Sequence, residues 1–409
     1  MLDLEDLGLD RGGHLLVRRA LAGMQPGERL TVTGRAPALG VHLAAWCRSQ
    51  GHTLVDPQRT KTDGTAIESA AIDGVVACVV RGTAEDDRWQ GATRAGRADP
   101  ASAGGVADHA SATWGLAARG ATVEAGSPAF GFSLDRKDQV WTDAAPRIYR
   151  QASAAQLDPA TAVPWDVAFD LPVEVEAAVV QVMTYLVENE QAALAVPARF
   201  LGRIHPHFRE VVAVLAVQIA DEARHVEVFS RRATLRGAEP GRSSAGGQAS
   251  LLTLLEEPDF ALAHFLLSVL GEGTFLALLA FIERHAPDPV TAAVARLALA
   301  DEARHVAFGM AHLGAVVAGD PAQRSRLAAA IHRRHDALAT TTGLNADVVD
   351  ALVVLAAGSF TPGAVAEGFS RVQDLEAEMA DGRRRRLVRL GFPLDEAASL
   401  ADLHTRNFM

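Results

Sequence analysis

Apolar residues recur with two different periods along the 409-residue chain. In the first eighty or so residues, short apolar runs alternate with amphipathic stretches, which predicts helices over 14–24 and around 39–50. Strands are predicted over 29–33, up to Val55 and over 76–81. We therefore expect a small α/β domain over residues 1–82. Residues 83–164 are rich in Gly, Ala, Ser and Asp and weakly periodic, which is typical of a partly irregular connector.

Residues 165–409 follow a helical period and are rich in Ala, Val and Leu. Asp170 with Pro172 marks the start of a first long helix, and Pro206 opens a second that runs to about Arg236. The Gly/Ser-rich stretch 236–249 is expected to be a loop. Further helices are predicted over 259–286, from Asp288-Pro289 to 318, and around 321–340, 346–358, 364–390 and 394–405.

One five-residue word occurs twice within these helices, as Asp221-Glu222-Ala223-Arg224-His225 and as Asp301-Glu302-Ala303-Arg304-His305. Residues three apart lie on one face of a helix, so each Glu and His can reach the same metal or metal pair. A single Glu-x-x-His is weak support for a metal site. Two identical copies 80 residues apart, each preceded by another apolar helix, are strong support.

Each copy has a further glutamate upstream, Glu190 before Glu222 and Glu272 before Glu302. Both lie in the middle of almost wholly apolar segments, where an unpaired carboxylate would cost several kcal/mol, so a cation is expected. The alternative, surface ion pairs on long helices, is disfavoured because the flanks are apolar and Glu and Arg two residues apart do not face each other. The predicted metal ligands are Glu190, Glu222, His225, Glu272, Glu302 and His305.

The two repeated words resemble the signature of the ferritin-like, ribonucleotide-reductase-like superfamily, which includes the bacterial multicomponent monooxygenases. The resemblance covers about residues 170–318 and implies a ferritin-like four-helix bundle with a dinuclear centre, with extra helices after it. It also implies that Asp221 orients His305 and that Asp301 orients His225, with Arg224 and Arg304 neutralising the aspartates. Ordinary ion pairs on a solvated face are the alternative for these four residues.

Departures from the superfamily narrow the expected function. The position of the radical tyrosine in class I ribonucleotide reductase subunits is Phe229 here, and the two Cys-x-x-Cys pairs of rubrerythrin are absent. We expect an oxygen-activating oxidase or oxygenase that uses two iron ions, dioxygen, a small organic substrate and an external electron donor. Manganese or a mixed Mn/Fe pair accepts the same ligands. The alternatives are an iron-binding or iron-sensing module, or a manganese or mixed-metal peroxide-handling enzyme.

Four residues around the predicted site have more than one interpretation. Gly271 and Gly273 flank Glu272 inside a helix, where each glycine costs roughly 1 kcal/mol, so close helix packing or a π-bulge that opens space for substrate is expected. Gln218, one turn before Glu222, either marks the substrate side or is a hydrogen-bonded core glutamine. His312, seven residues beyond His305, is expected to be a core or outer-sphere histidine.

Composition narrows the expected binding partners and cellular location of the protein. The formal net charge of −11 disfavours nonspecific binding to nucleic acid or anionic membranes. Arg383 to Arg386 form a local basic run, interpreted as a solvated helix end rather than a phosphate site. Acidic residues near the start and the lack of a membrane-spanning apolar run indicate a cytoplasmic protein without membrane contact. A homodimer is one option for its assembly.

The N-terminal module resembles the TusA-like sulfur-carrier family over about residues 1–55, through stretches such as Gln25-Pro26-Gly27-Glu28 and Trp46-Cys47-Arg48. The reactive cysteine of that family would lie in a segment that reads Gly8-Leu9-Asp10-Arg11-Gly12-Gly13 here. Persulfide transfer by that route is therefore not expected. Cys47 is expected to be a buried small apolar residue.

Overall fold

The computed structural model describes residues 1–55, 75–339 and 346–403. They form two compact units. The first contains Met1–Arg94 and Ala121–Ser127, and the second contains Ala95–Gly120 and Pro128–Met409. The domain boundaries at residues 82 and 164 remain predictions.

The first unit contains a four-stranded sheet in the order β1 (Leu2–Asp3), β2 (Arg29–Gly34), β4 (Val75–Val80) and β3 (Thr53–Val55). The pairing of β1 with β2 is parallel, and the other pairings are antiparallel. Helices α1 (Gly13–Ala22) and α2 (Leu39–Ser49) bury apolar residues in the same core as the sheet. The five predicted elements of this region are therefore present, while the resemblance to sulfur carriers remains a prediction.

Cys47 lies in the core of this unit and is 1% exposed. Burial raises the pKa of its thiol to about 11, so the thiol stays protonated at neutral pH. This environment matches the interpretation of Cys47 as a small apolar residue. The unit also contains α3 (Ala84–Arg88) and the paired short strands β5 (Thr93–Arg94) and β6 (Thr122–Val123).

The second unit is helical, as the period of its apolar residues predicts. Short helices come first: α4 (Lys137–Val140), α5 (Ala145–Ala154) and α6 (Pro159–Ala162). The long helices are α7 (Val173–Leu201), α8 (Arg209–Thr234), α10 (Phe260–His264) with its continuation α11 (Glu272–His285), and α12 (Pro289–Gly319). They are accompanied by α9 (Ala245–Glu256), α13 (Gln323–Ala339), α14 (Ala346–Ala357), α15 (Pro362–Arg389) and α16 (Leu394–Asp402).

Four of the long helical segments form a ferritin-like four-helix bundle. Helix α7 packs against α8, α8 against α12, and α11 against α12. Helices α14 and α15 then cover α7 and α11 from outside, while α5 packs against α8 and α12. One continuous apolar core runs through these contacts. The mainly α fold with extra C-terminal helices and a small α/β region before it is thus confirmed.

The third helix of the bundle contains a π-helix, Phe265–Gly271, between α10 and α11. Its bonds run from an N–H to the carbonyl five residues earlier, as from Glu272 N–H to the Leu267 carbonyl. One extra residue is therefore accommodated in the turns that lead to Glu272. The sequence predicted one helix over this range and offered a π-bulge as one explanation of its glycines.

Two expectations for this region were wrong. The stretch 236–249 is not wholly a loop, because α9 begins at Ala245 after Ser244, whose hydroxyl accepts a hydrogen bond from Gly247 N–H. The sequence was also expected to lack an apolar run of membrane-spanning length, but the combined helix Phe260–His285 is long and apolar enough by composition to cross a membrane. Most of its apolar window, 83%, is buried inside the protein, as in the core helix of a bundle.

Candidate metal centre

The four bundle helices bring all six predicted metal ligands to one place in the core. Helix α7 supplies one glutamate, α8 a glutamate and a histidine, α11 one glutamate, and α12 a glutamate and a histidine. Each side chain is at most 4% exposed. The i, i+3 spacing within α8 and α12 puts each Glu–His pair on the face that points into the bundle. The residues are Glu190, Glu222, His225, Glu272, Glu302 and His305.

Potential ligand atoms form two overlapping groups, within each of which the atoms lie within 4.8 Å of one another. One group contains Glu190 and His225 and the other contains Glu272 and His305, while Glu222 and Glu302 belong to both. We call these the α7/α8 position and the α11/α12 position. Two shared carboxylates between two Glu–His pairs are the arrangement by which a protein holds two metal ions side by side.

Close contacts define the α7/α8 position. The Nδ1 atom of His225 lies 3.1 Å from Glu222 Oε2 and 3.5 Å from Glu190 Oε2. It also lies 3.5 Å from Glu302 Oε1. At the α11/α12 position, His305 Nδ1 lies 3.1 Å from Glu222 Oε1 and 3.5 Å from Glu302 Oε2. Both Nδ1 atoms therefore face the carboxylates, which is the orientation that a metal ligand needs.

Several carboxylate oxygens in this cluster lack a hydrogen-bond donor among the described residues. They include Glu190 Oε1 and both oxygens of Glu302. A buried acceptor without a partner costs roughly 1–3 kcal/mol, and a buried charge costs more. Four carboxylates and two imidazoles in an apolar core are accounted for if divalent cations bind them, so the residues fit a dinuclear centre.

The pKa values of the cluster follow from the same crowding of charge. Burial, together with the charge of Glu222, raises the pKa of Glu190 well above its usual value. Burial and the charge of Glu302 raise the pKa of Glu272 in the same way. Without metal, protons on these groups therefore compensate the negative charge.

The two histidines show the opposite balance of causes. Burial by itself would lower the pKa of His225 and His305, but the surrounding carboxylates outweigh it and raise both values. Burial also opposes ionisation of Glu222, yet the two histidines outweigh that effect and lower its pKa. In the metal-free cluster, protons on the imidazoles occupy the place of positive metal charge.

The aspartates of the repeated words are paired crosswise. Asp301 Oδ2 lies 3.2 Å from His225 Nε2, and Asp221 Oδ2 lies 3.2 Å from His305 Nε2. An acceptor at Nε2 keeps the proton on that nitrogen and leaves Nδ1 free to bind a metal. This is the pairing that the superfamily resemblance implied, although the orienting role itself remains a prediction.

The arginines of the words lie beside these aspartates. Arg224 Nη2 donates to Asp221 Oδ1 at 2.7 Å and to Asp301 Oδ2 at 2.6 Å, and so links the two copies. Arg304 also donates to Asp301. Gln156, which the sequence did not single out, donates to Asp221 at 2.7 Å and accepts from Arg224 at 2.8 Å. It lies in the stretch predicted to be a partly irregular connector, where no motif indicated it.

The structure places Gln218, Gly271 and Gly273, each of which had two interpretations, at or next to Glu272. Gln218 donates to Glu272 Oε1 at 2.9 Å and thus contacts a predicted ligand directly. Gly271 ends the π-helix, and a Cβ at Gly273 would lie 2.4 Å from Arg386 Nε. A π-turn and close packing therefore occur together. Phe229, at the position of the radical tyrosine, is fully buried and its ring centroid lies 6.2 Å from that of His225.

Sequence reasoning found His312 but missed its partner. His264 Nδ1 lies 2.9 Å from His312 Nδ1, and His312 Nε2 lies 3.0 Å from the Gln139 carbonyl. Burial lowers the pKa of His312 to about 4 and that of His264 well below its usual value. The two form a buried neutral pair, which places His312 in the core.

The chain has structural neighbours among solved structures. No protein-family model and no curated protein matches the chain. Among solved structures, it is similar to a variant of an R2-like ligand-binding oxidase with an aerobically reconstituted Mn/Fe cofactor, with 19% identity and a TM-score of 0.40. That alignment covers 64% of this chain and 94% of the other. The R2-like ligand-binding oxidase from Sulfolobus acidocaldarius has 15% identity and a TM-score of 0.41, with 62% and 94% covered.

Proposed function

We propose that this chain is a dinuclear non-haem metal oxidase or oxygenase that uses dioxygen to oxidise a small organic substrate. The observation that carries the proposal is the pair of overlapping ligand groups that share Glu222 and Glu302 in a fully buried cluster. Mixed carboxylate and imidazole ligands suit two iron ions, and equally manganese or one ion of each. Electrons would come from an external donor.

Redox-active metal bound here would supply the electron-transfer chemistry with dioxygen that side chains cannot provide. The contribution of the chain is to hold and orient. Glu190 with His225, and Glu272 with His305, would each serve one metal position, and Glu222 and Glu302 would bridge them.

The surroundings support such chemistry in two further ways. Asp221 and Asp301 keep the histidine protons on the nitrogens that face away from the cluster. The fully buried Phe229, whose ring lies beside His225, excludes bulk water, which protects a reactive centre and strengthens its electrostatic interactions. These are the properties expected of a catalytic centre that handles dioxygen.

Metal analysis of the purified protein, followed by anaerobic reduction and exposure to oxygen under absorption spectroscopy, tests this proposal. We expect about two metal ions per chain, and oxygen consumption that increases with a suitable substrate. Glu190→Gln should lose metal, whereas Glu188→Gln, at a half-buried position two residues earlier on the same helix, should keep it.

Other outcomes would favour the alternatives. Stable metal uptake without substrate-dependent oxygen consumption would indicate a module that stores or senses iron. Turnover of peroxide with bound manganese would indicate a peroxide-handling enzyme. Absence of stoichiometric metal from the wild-type protein after reconstitution with Fe(II) and Mn(II) would refute the dinuclear centre.

A further inference from the structure

The basic run Arg383 to Arg386 on α15 is divided by the helix into two kinds of residue. Arg384 and Arg385 are exposed and both donate to Asp381 on the same helix, as expected of a solvated helix end. Arg383 and Arg386, three residues apart, lie on the inward face instead. Arg383 is 7% exposed and donates to the Ala401 carbonyl at 3.0 Å. The expectation of a solvated run was therefore wrong for these two.

Arg386 reaches the helix that carries Glu272. Its Nε atom donates to the Val269 carbonyl at 2.7 Å, within the π-helix. This hydrogen bond ties α15 to a carbonyl of the π-helix that leads into Glu272. The Thr274 hydroxyl donates to the Leu270 carbonyl four residues earlier at 2.6 Å, as threonines within helices commonly do.

The guanidinium of Arg386 also lies directly on the backbone of Gly273. A Cβ at this position would come within 2.4 Å of Nε and 2.5 Å of Cζ. Glycine is therefore required for this close approach, which explains the residue immediately after Glu272. Burial lowers the pKa of Arg386 to about 10, well above neutral pH, so the side chain remains charged.

Because the proposed dinuclear centre depends on Glu272, these contacts bear on it directly. The Glu272 N–H closes the last π-turn on the Leu267 carbonyl, so the direction of the Glu272 side chain is tied to the geometry of that turn. If the π-helix relaxed to a regular α-helix, the hydrogen-bond register would shift by one residue, and the Glu272 side chain would rotate about the helix axis by roughly 100° relative to the residues before it. What holds the π-turn therefore determines whether Glu272 faces the bundle interior.

We infer that Arg386 is a positioning residue that, through Val269 and Gly273, fixes the π-turn presenting Glu272 to the α11/α12 metal position. This inference rests on the proposed function, since it assumes that Glu272 is a metal ligand. It assigns a role in the centre to α15, a helix that contributes no ligand to either group. Loss of Arg386 should therefore weaken metal binding at the α11/α12 position more than at the α7/α8 position, because the α7/α8 position does not use Glu272.

The test is an anaerobic titration of the full chain with Fe(II), repeated with Co(II) as a spectroscopic probe. The variants are Arg386→Gln, Arg386→Lys and Gly273→Ala, whose added Cβ displaces the guanidinium. Controls are Arg385→Gln on the exposed side of α15 and Gly314→Ala, where the added Cβ would meet no described atom beyond the backbone of its own helix. Melting of the metal-free proteins is measured in parallel.

We expect Arg386→Gln and Gly273→Ala to bind one metal with wild-type affinity and the other about 10–100-fold more weakly. Arg386→Lys should be intermediate, because it keeps a positively charged donor group but not the planar guanidinium. Glu272→Gln should show the same selective loss, and combining it with Arg386→Gln should add little further loss. Both controls should bind two metals as the wild type does.

Two results would overturn the inference while leaving the dinuclear centre intact. One is wild-type affinity at both positions in Arg386→Gln and Gly273→Ala. The other is an equal weakening at both positions together with a lower melting temperature, which would show a general structural role. If one variant fails to fold, the remaining two still decide the question. A wild-type chain that binds no metal would instead refute the proposed function itself.

Discussion

Replacing Asp301 by Asn changes one carboxylate oxygen to an NH2 group and removes a negative charge that three donors share. Asp301 Oδ2 accepts from Arg224 at 2.6 Å and lies 3.2 Å from His225 Nε2, while Oδ1 accepts from Arg304. An Asn side chain offers only one acceptor oxygen. Whichever way the amide turns, its NH2 group meets a donor. If it faces His225, the imidazole proton moves to Nδ1, the nitrogen that must bind the metal.

The structure sets the expected size of this effect. Arg224 keeps its bonds to Asp221 and Gln156, so only part of its charge loses a partner. We therefore expect a stability loss of about 1–3 kcal/mol, the cost of one or two unsatisfied buried donors. Metal affinity at the α7/α8 position should fall about 10–100-fold, which corresponds to about 1.4–2.7 kcal/mol. The α11/α12 position should change less, because its His305 is oriented by Asp221.

Anaerobic metal titration with thermal melting of the metal-free protein separates the two effects. Asp381→Asn is the matched control, since Asp381 also accepts from two arginines but at the surface. It should change neither metal binding nor, by more than about 1 kcal/mol, stability. If Asp301→Asn binds both metals with wild-type affinity, Asp301 does not orient His225, and the crosswise pairing is only structural.

Three further predictions concern the pH dependence of metal affinity, the pH dependence of stability, and truncation of the chain from its N-terminus. Four groups of the metal-free cluster have raised pKa values, so metal binding should release protons. Metal affinity should therefore weaken on acidification, by up to about tenfold per pH unit for each proton released. Metal titrations at several pH values would measure this dependence. The pKa of His312 is about 4 in the folded protein, whereas an unfolded histidine has a pKa near 6.5. As the pH falls from 6.5 to 4, the unfolded state therefore binds a proton that the folded state does not, and the free energy of unfolding should decrease by about 3 kcal/mol in total. Chemical denaturation at pH 7.5 and 4.5 should show a smaller difference for His312→Gln, and an equal difference would contradict this origin. Truncated chains that begin near residue 95 or near residue 140 should both bind about two metals per folded protein. The shorter chain should have the lower melting temperature, because it lacks Arg119, whose buried guanidinium pairs with Glu210. If the chain from residue 95 folds but binds no metal, the N-terminal unit helps to form the site.

The sequence by itself determined the parts of this protein that depend on local spacing. The repeated words put Glu222 with His225, and Glu302 with His305, on single helix faces, because residues three apart are neighbours on any α-helix. Glu190 and Glu272 were recognised because a carboxylate in an apolar helix needs a partner. The element types of the N-terminal unit followed from its alternating apolar pattern in the same way.

Only the tertiary structure decided which residues meet across helices. The shared role of Glu222 and Glu302 depends on how four helices pack, and no local period encodes that distance. Gln156 and His264 acquire partners 68 and 48 residues away, where the sequence carries no motif. The inward turn of Arg386 is the clearest case. Its four-arginine run has the composition of a solvated helix end, and only the packing of α15 against α11 places one guanidinium on Gly273 beside the centre.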